Sequence, residues 1–255
     1  MTTIAELDRR YYPELVDEHV RFDGMIRRHL RPDAVVLDAG AGRGLRFPHD
    51  YEDSVARMAG VDRDPAVREN PNLTDAAVAD LVDLPYGDAE FDVVFSKFVF
   101  EHLDRPITVM RELHRVLKPG GHLLIHTPNR WHYVTLAAAL TPTRVHIWYR
   151  TKLGWDEADT FPTRYRANDA KTMEAFAAVN GFRVDSLELL ETKSTYLALH
   201  PSAYRAGHRV RTSGGSVRLV GPIPGEPAGG PGGGGAPSTG LYREAMISSG
   251  MSKLA

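Results

Sequence analysis

The feature that most constrains the fold is a short apolar run that ends in a glycine-rich loop, VVLDAGAGRG, at residues 35–44. The valines and leucine of this run predict a buried β-strand, and Asp38 follows at its carboxyl end. Glycine then stands at every second position, at Gly40, Gly42 and Gly44. Glycine permits positive φ angles and lets a ligand approach the backbone closely. Because open parallel sheets bind nucleotides at the carboxyl ends of their strands, the loop predicts a nucleotide-type site in an α/β fold.

The spacing and the charge of the loop distinguish between classes of nucleotide ligand. A dinucleotide-binding loop follows the pattern GxGxxG and directs its turn toward a pyrophosphate. Here the third glycine comes one residue early, and Asp38 stands two positions before the first glycine. A carboxylate there repels a pyrophosphate and favours a cationic ligand such as S-adenosylmethionine, which carries a sulfonium and an ammonium group. The opposing interpretation is a tight loop that only connects two elements.

Strands and helices alternate over the first 130 residues, which predicts an α/β fold with a doubly wound, mostly parallel sheet. Asp62 and Asp80 follow the second and third predicted strands, so we expect both carboxylates at the same edge of the sheet as Asp38. A carboxylate after the second strand can accept hydrogen bonds from ribose hydroxyls, which does not separate a methyl donor from NAD. The predicted strands are 35–37, 56–61, 76–79, 91–96, 121–126, 182–190 and 195–200, and the predicted helices are 13–30, 98–117 and 169–180.

Composition limits the classes of function. The chain of 255 residues has no cysteine, which excludes disulfides, thiolate metal sites and a cysteine nucleophile. Its formal net charge of −2 gives no support for a nucleic-acid partner. It shows neither an apolar leader at its start nor a continuous apolar run of about 18 residues. We therefore expect a cytoplasmic protein without a transmembrane segment.

Two stretches fall outside the alternation and set the expected domain organisation. Within a catalytic domain at 1–220, residues 131–161 are rich in aromatic side chains and arginine and predict an insertion over the face that carries the site. That insertion has three interpretations: an acceptor pocket with a cationic rim, a segment in peripheral contact with a membrane, or a plain hydrophobic cap. In the final stretch, 221–255, glycine and proline occupy fourteen of the twenty positions 221–240. Such a density predicts a disordered tail.

Five motifs in order resemble the class I S-adenosylmethionine-dependent methyltransferases: LDAGAGRG, GVDRD, AD followed by LPYGDAEFDVVFS, FEHL, and RVLKPGGHLLIHTPNR. The FEHL and TPNR segments are most similar to the branch that includes the ubiquinone-biosynthesis O-methyltransferases and many bacterial methylases of small molecules. The resemblance spans about residues 35–182. It implies a seven-stranded sheet that ends in an antiparallel hairpin, S-adenosylmethionine as the cofactor, and methyl transfer to a hydroxyl of a small or lipid-like molecule.

The resemblance also implies a set of cofactor-binding residues along the carboxyl edge of the sheet. These are Asp38, Gly40, Gly42 and Gly44 for the methionine part, Asp62 for the ribose, Arg63, Asp80 and the Leu81 amide for the adenine, and Lys97 for the amino acid end. The ubiquinone-type enzymes are associated with a magnesium site built from ExxEH. Here Glu101 and His102 match, but Phe98 occupies the first position, and a phenyl ring supplies no oxygen ligand. We therefore expect no metal.

Histidines that follow the predicted strands are the candidate bases for a hydroxyl acceptor, because imidazole titrates near neutral pH. His102 is the candidate catalytic base, with Glu101 to orient it; the alternative is that both only stabilise the start of a helix. The residues expected to contact the acceptor are His126, Asn129, Trp131, His132 and Trp148. Two other functions stay open: methylation of nitrogen or carbon, and a subunit that binds S-adenosylmethionine without turnover. An NAD-dependent oxidoreductase is disfavoured by the glycine spacing.

Overall fold

The computed structural model describes residues 3–11, 18–45, 47–130, 163–190, 216–220 and 251–253. The α-helices in these ranges are α1 (Ile4–Tyr11), α2 (Glu18–Arg27), α3 (Pro106–Val116) and α4 (Ala170–Val179). The strands there are β1 (Val35–Ala39), β2 (Arg57–Asp62), β3 (Asp75–Val78), β4 (Phe91–Lys97), β5 (Leu117–Pro128), β6 (Phe182–Val184), β7 (Ser186–Leu190), β8 (Ser216–Val220) and β9 (Met251–Lys253). Short 3₁₀ turns lie at Tyr51–Asp53, Pro65–Glu69 and Phe100–His102. No helix among the described residues is long and apolar enough to cross a membrane.

The nine described strands form one sheet, whose main order is β3-β2-β1-β4-β5-β8-β7. Strands β1 to β5 pair in parallel, while β8 pairs antiparallel with both β5 and β7. Strand β9 pairs antiparallel with β5 and β6. Because the strand order reverses between β1 and β4, a crevice is expected outside the carboxyl ends of these two strands. The parallel sheet confirms the predicted Rossmann-like architecture.

Alternate side chains of the parallel strands face two separate cores. On one face, α2 buries Phe22, Met25 and Ile26 against strands β1, β2, β4 and β5. On the other face, α3 and α4 pack against the same sheet, and α3 contributes apolar side chains at the helical spacing of three and four residues. The buried residues of α3 and α4 are Pro106, Val109, Met110, Leu113, Val116, Met173 and Ala177. The two covered faces leave the strand ends as the place for a ligand.

The helices begin and end at residues other than those predicted. The helix expected over 13–30 is described only from Glu18 to Arg27. The helix expected over 98–117 starts at Pro106 and is preceded by the 3₁₀ turn Phe100–His102. Proline suits the first helical position because its missing N–H has no helical partner there. Strand β5 then begins at Leu117, four residues earlier than predicted.

The end of the chain differs more strongly from the prediction. The strand expected over 182–190 is divided at Asp185 into β6 and β7, and β7 pairs with β8. The described part of the sheet therefore has nine strands where seven were predicted. Of the predicted tail, residues 251–253 form β9, because the glycine and proline density is confined to 221–240 and does not extend to them. The predicted strand 195–200, the insertion 131–161 and the rest of the tail lie outside the described residues.

Candidate active site

The glycine loop after β1 requires glycine for two reasons. Gly40, Gly42 and Gly44 have φ angles of +93°, +49° and +75°, which side chains of L-residues rarely adopt. The Gly40 amide donates to the Val61 carbonyl at 2.8 Å, which ties the loop to the end of β2. A Cβ atom at Gly40 would also overlap the side chain of Val99. The loop is thus held between β2 and the segment after β4.

Two buried asparagines, which the sequence analysis missed, hold the loop from the other side. Asn70 donates from Nδ2 to the carbonyls of Ala41 and Gly42, both at 3.2 Å. Asn72 donates from Nδ2 to the Gly44 carbonyl at 3.2 Å, and its backbone amide donates to Asn70 Oδ1 at 3.0 Å. The two side chains are 28 or 29 residues from the loop residues that they bind and form no recognised motif with them. In the sequence they stand out only as polar residues between the turn Pro65–Glu69 and strand β3.

Asp38 lies buried at the carboxyl end of β1, beside the loop. Burial, reinforced by the nearby negative charge of Asp62, raises the pKa of Asp38 to about 8, and Lys97 opposes that rise. Desolvation penalises the charged form of a carboxyl group, so this acid holds its proton near neutral pH. A cationic ligand beside it would favour the ionised form. The position therefore suits a ligand that carries positive charge.

The ends of β2 and β3 lie side by side. Asp62 accepts the Gly42 amide on Oδ2 at 3.0 Å and the Asp64 amide on Oδ1 at 2.9 Å. Each carboxylate oxygen has a second lone pair, so Asp62 can still accept ribose hydroxyls. Arg63 reaches from β2 to Asp80, with Nε 3.8 Å from Oδ2, and Leu81 is buried beside them. The structure thus brings the predicted adenine and ribose residues to one edge.

Aromatic and imidazole rings surround the Lys97 ammonium group at the end of β4. The Lys97 ammonium lies 3.5 Å from the centroid of the Phe47 ring and contacts His19 Nδ1. Phe98 follows at a φ of +56°, and its ring lies 5.9 Å from His19 and 4.7 Å from His126. A non-glycine residue held at such an angle costs about 1–3 kcal/mol and often marks a functional site. Among the residues that the structure describes, no group of three or more metal-binding side chains is placed to hold an ion.

Glu101 and His102 lie in the 3₁₀ turn Phe100–His102 after β4. The Glu101 carboxyl is buried and accepts a hydrogen bond from the Thr127 hydroxyl at 2.9 Å. Burial raises the pKa of Glu101 to about 7, and hydrogen bonds from its own backbone amide and from the Thr127 hydroxyl oppose part of that rise. His102 Nε2 is 3.9 Å from Glu101 Oε1, and 30% of the His102 side chain is exposed. His102 thus lies beside a buried carboxyl while part of its ring is exposed to solvent.

The predicted acceptor residues are only partly described. His126 is fully buried, with its ring 5.3 Å from Phe22 and Nε2 3.7 Å from Glu18 Oε2, so it faces α2. Asn129 is buried just after β5. Trp131, His132 and Trp148 lie outside the described residues.

Comparison with known proteins points to a methyltransferase domain. Residues 37–125 match a family model described as a methyltransferase domain. A protein of Mycolicibacterium smegmatis described as a probable S-adenosylmethionine-dependent methyltransferase is 41% identical over 100 residues, 37% of this chain and 38% of that protein. The sarcosine/dimethylglycine N-methyltransferase of Halorhodospira halochloris is 34% identical over 113 residues, 40% of each chain. The chain thus spans about two fifths of the length of these curated relatives.

Solved structures show the same architecture. The YcgJ protein of Bacillus subtilis superposes with a TM-score of 0.55, covering 93% of this chain and 100% of that one at 16% sequence identity. At that identity the likeness shows the fold alone. The parallel sheet, the glycine loop with its carboxylates and the family match converge on one assignment. Residues 37–125 match the methyltransferase domain model, and S-adenosylmethionine is the cofactor that this match and the Mycolicibacterium relative support.

Proposed function

We propose that this protein transfers a methyl group from S-adenosylmethionine to a hydroxyl of a small or lipid-like molecule. The observation that carries the proposal is the glycine loop beside the buried carboxyl of Asp38, tied on one side to Asp62 and on the other to Asn70 and Asn72. A loop fixed in this way presents its backbone to a ligand without having to become ordered on binding. The carboxyl group beside it selects positive charge.

The residues of the edge divide the donor between them. Asp38 would face the positively charged methionine part, Asp62 would accept the ribose hydroxyls, and Arg63, Asp80 and Leu81 would surround the adenine. When bound, S-adenosylmethionine supplies a methyl carbon already activated by its sulfonium. The protein then has to hold the acceptor in line and exclude water, which together can contribute roughly 7–11 kcal/mol.

His102 and Glu101 support a hydroxyl as the acceptor group. A hydroxyl gains from a base that removes its proton, typically by 10²–10⁴-fold. His102 is partly exposed beside the buried Glu101, which suits a base whose far nitrogen is oriented by a carboxylate. The alternative is methylation of nitrogen, which the activity named for the Halorhodospira relative favours. Methylation of carbon and donor binding without turnover remain further alternatives.

The acceptor class rests on sequence alone. The FEHL and TPNR segments support the branch that methylates small molecules, including the ubiquinone-biosynthesis O-methyltransferases. The aromatic and arginine-rich stretch 131–161 supports an acceptor with an apolar body, and the same composition suits peripheral contact with a membrane. A cytoplasmic location agrees with both.

Calorimetry separates these functions at the first step. We expect S-adenosylhomocysteine to bind the full-length protein with a Kd in the micromolar range, and NAD to give no binding heat. Binding of NAD without a response to S-adenosylhomocysteine would overturn the proposal. A screen of hydroxylated and aminated small molecules with labelled S-adenosylmethionine then identifies the acceptor group.

A further inference from the structure

Three polar side chains from distant parts of the chain meet in the interior next to the catalytic turn. Glu101 lies in the turn after β4, Thr127 near the end of β5, and Asn168 two residues before α4. Thr127 and Asn168 have no exposed surface, and Glu101 is 4% exposed. Asn168 Nδ2 is 2.5 Å from Thr127 Oγ1, which in turn is 2.9 Å from Glu101 Oε2. A buried chain of this kind places strict demands on every donor and acceptor in it.

The Pro128 carbonyl fixes the direction of this chain. Asn168 Nδ2 is 3.0 Å from that carbonyl oxygen, which can only accept, so the amide nitrogen and not the amide oxygen must face it. The same nitrogen therefore donates its other hydrogen to Thr127 Oγ1. Because Thr127 has a single hydroxyl proton and receives one from Asn168, its own proton points at Glu101 Oε2.

This direction determines where a proton on Glu101 resides. Oε2 accepts from Thr127, so a neutral Glu101 carries its proton on Oε1. Oε1 is the oxygen that lies 3.9 Å from His102 Nε2. Burial already holds the pKa of Glu101 at about 7, close to the range in which an imidazole titrates. Glu101 Oε1 and His102 Nε2 are thus the atoms through which the two groups face each other.

Backbone hydrogen bonds from the segment before α4 hold the turn in place. The Glu101 carbonyl accepts backbone amides from Arg164 at 2.6 Å and Tyr165 at 3.1 Å. Arg164 directs its guanidinium to Asp104, with Nε 3.0 Å from Oδ1. Among the described residues, the charged groups around this turn include His102, on the same turn, the Arg164–Asp104 pair, and Arg166, whose Nη1 donates to the Asp104 carbonyl at 2.6 Å.

We propose that Asn168 and Thr127 are positioning residues, which orient the Glu101 carboxyl so that Oε1 serves His102. The inference rests on the proposed function, since it assigns His102 the role of base. With Glu101 ionised, His102 keeps its proton on Nε2 toward Oε1, and its Nδ1 lone pair takes the proton of the acceptor hydroxyl. The O–H bond of the acceptor breaks as the N–H bond forms, and Glu101 balances the resulting imidazolium charge.

Carbon-detected NMR of the labelled full-length protein tests this without knowledge of the acceptor. The pKa of the Glu101 carboxyl is measured in the parent, in Thr127→Val and in Thr127→Ser. Loss of the hydroxyl removes a donor to the charged form, so Thr127→Val should raise the pKa of Glu101 by about one unit. Thr127→Ser keeps the donor and should restore the parent value.

A double-mutant cycle tests the direction of the chain. Asn168→Leu alone should raise the pKa of Glu101, because the Thr127 hydroxyl is then free to turn away. Combined with Thr127→Val, the same substitution should add nothing, since Asn168 acts through Thr127. Additive shifts, or no shift in either single variant, would overturn the inference. Thr74→Val is the matched control: its hydroxyl donates to the Met58 carbonyl far from Glu101, so the pKa of Glu101 should not move.

Calorimetry with S-adenosylhomocysteine on the same variants separates the two proposals. We expect the Kd of each variant to lie within about twofold of the parent, because the network makes no contact with the glycine loop. If the ligand binds and the pKa of Glu101 does not respond, only the positioning role fails. If the parent does not bind the ligand, the proposed function fails whatever the titration shows.

Discussion

The carboxyl edge of the sheet contains two regions that are built in opposite ways. The donor edge, at the ends of β1, β2 and β3, presents Asp38, Asp62 and Asp80 around a glycine loop. The acceptor edge, at the ends of β4 and β5, presents Glu101 and His102. On the donor edge most carboxylates are partly open and accept backbone amides. On the acceptor edge the carboxyl is buried and satisfied by the side chain of Thr127.

The difference matches the tasks proposed for the two edges. Open carboxylates such as those of Asp62 and Asp80 can take further hydrogen bonds from a ligand. The buried Glu101, whose pKa is raised to about 7, can exchange a proton near neutral pH, as a partner of a base must. Asp38 is the buried carboxyl of the donor edge, and its raised pKa instead couples its ionisation to a cationic ligand. Substitutions on the donor edge should therefore act on binding, and substitutions on the acceptor edge on turnover.

The largest effect is expected on the acceptor edge, from His102→Ala. With an acceptor identified by screening, kcat should fall by about 10²-fold or more, because the base is lost, while the Kd for S-adenosylhomocysteine stays within twofold. The acid limb of the parent's pH–rate profile should be absent from the variant. His114→Ala serves as the control, because it removes a histidine of α3 that packs on Phe182. A kcat within a fewfold of the parent would place His102 among the structural residues.

A smaller effect is expected on the donor edge, from Asp62→Ala. The substitution removes the acceptor of the Gly42 amide together with the proposed ribose contact. A hydrogen bond to a charged group contributes about 1.5–3 kcal/mol, so the Kd for S-adenosylhomocysteine should rise roughly 10- to 150-fold by calorimetry. Asp33→Ala, at an exposed residue whose carboxylate pairs with Arg31, should leave the Kd unchanged. An unchanged Kd in Asp62→Ala would remove the donor edge from cofactor binding.

The smallest expected effect is on thermal stability, where the response to bound ligand should distinguish Asp38 from Glu101. The pKa of Asp38 is raised from 3.8 to about 8 in the folded protein, so the folded state keeps a proton that the unfolded state releases. Stability therefore falls as the pH rises between about 4 and about 8. Asp38→Asn removes this penalty, so its Tm at pH 8.5 should exceed the parent's by roughly 2–4 °C.

Glu101→Gln is the matched variant for that comparison. In the parent, the pKa of Glu101 is raised from 4.5 to about 7, so its contribution to the stability of the fold falls as the pH rises from about 4.5 to about 7. Saturating S-adenosylmethionine should abolish the advantage of Asp38→Asn, because the ligand's charge needs the carboxylate, and should leave the advantage of Glu101→Gln intact. Scanning calorimetry at several pH values measures both, and equal responses to the ligand would erase the distinction between the edges.

The donor edge could be predicted from sequence because its contacts are local and depend on residue type. The glycines after β1 and the acids after β2 and β3 follow strands directly, so the strand pattern alone places them at one edge. Asn70 and Asn72 could not be predicted, because they donate to backbone carbonyls of the loop, and every residue type supplies such a carbonyl.

The acceptor edge was predicted in identity but not in environment. FEHL indicated Glu101 and His102, yet the hydrogen bonds of the Glu101 carboxyl depend on Thr127 and, through it, on Asn168, which are 26 and 67 residues away from Glu101 in the chain. The orientation of His126 depends on which face of β5 it occupies, and one residue of register decides that. The helix predicted to begin at Phe98 begins at Pro106 instead, because proline suits the first helical position.

The raised pKa of Asp38 has a calorimetric consequence for the donor. Below pH 8 the free protein carries a proton on this carboxyl, and a bound cation favours its release. Each molecule of S-adenosylmethionine that binds then delivers a fraction of a proton to the buffer. The heat observed in Tris, which takes up protons with a large enthalpy, should differ from the heat in phosphate, and the difference counts the protons released. Raising the pH should also tighten binding until Asp38 is fully ionised.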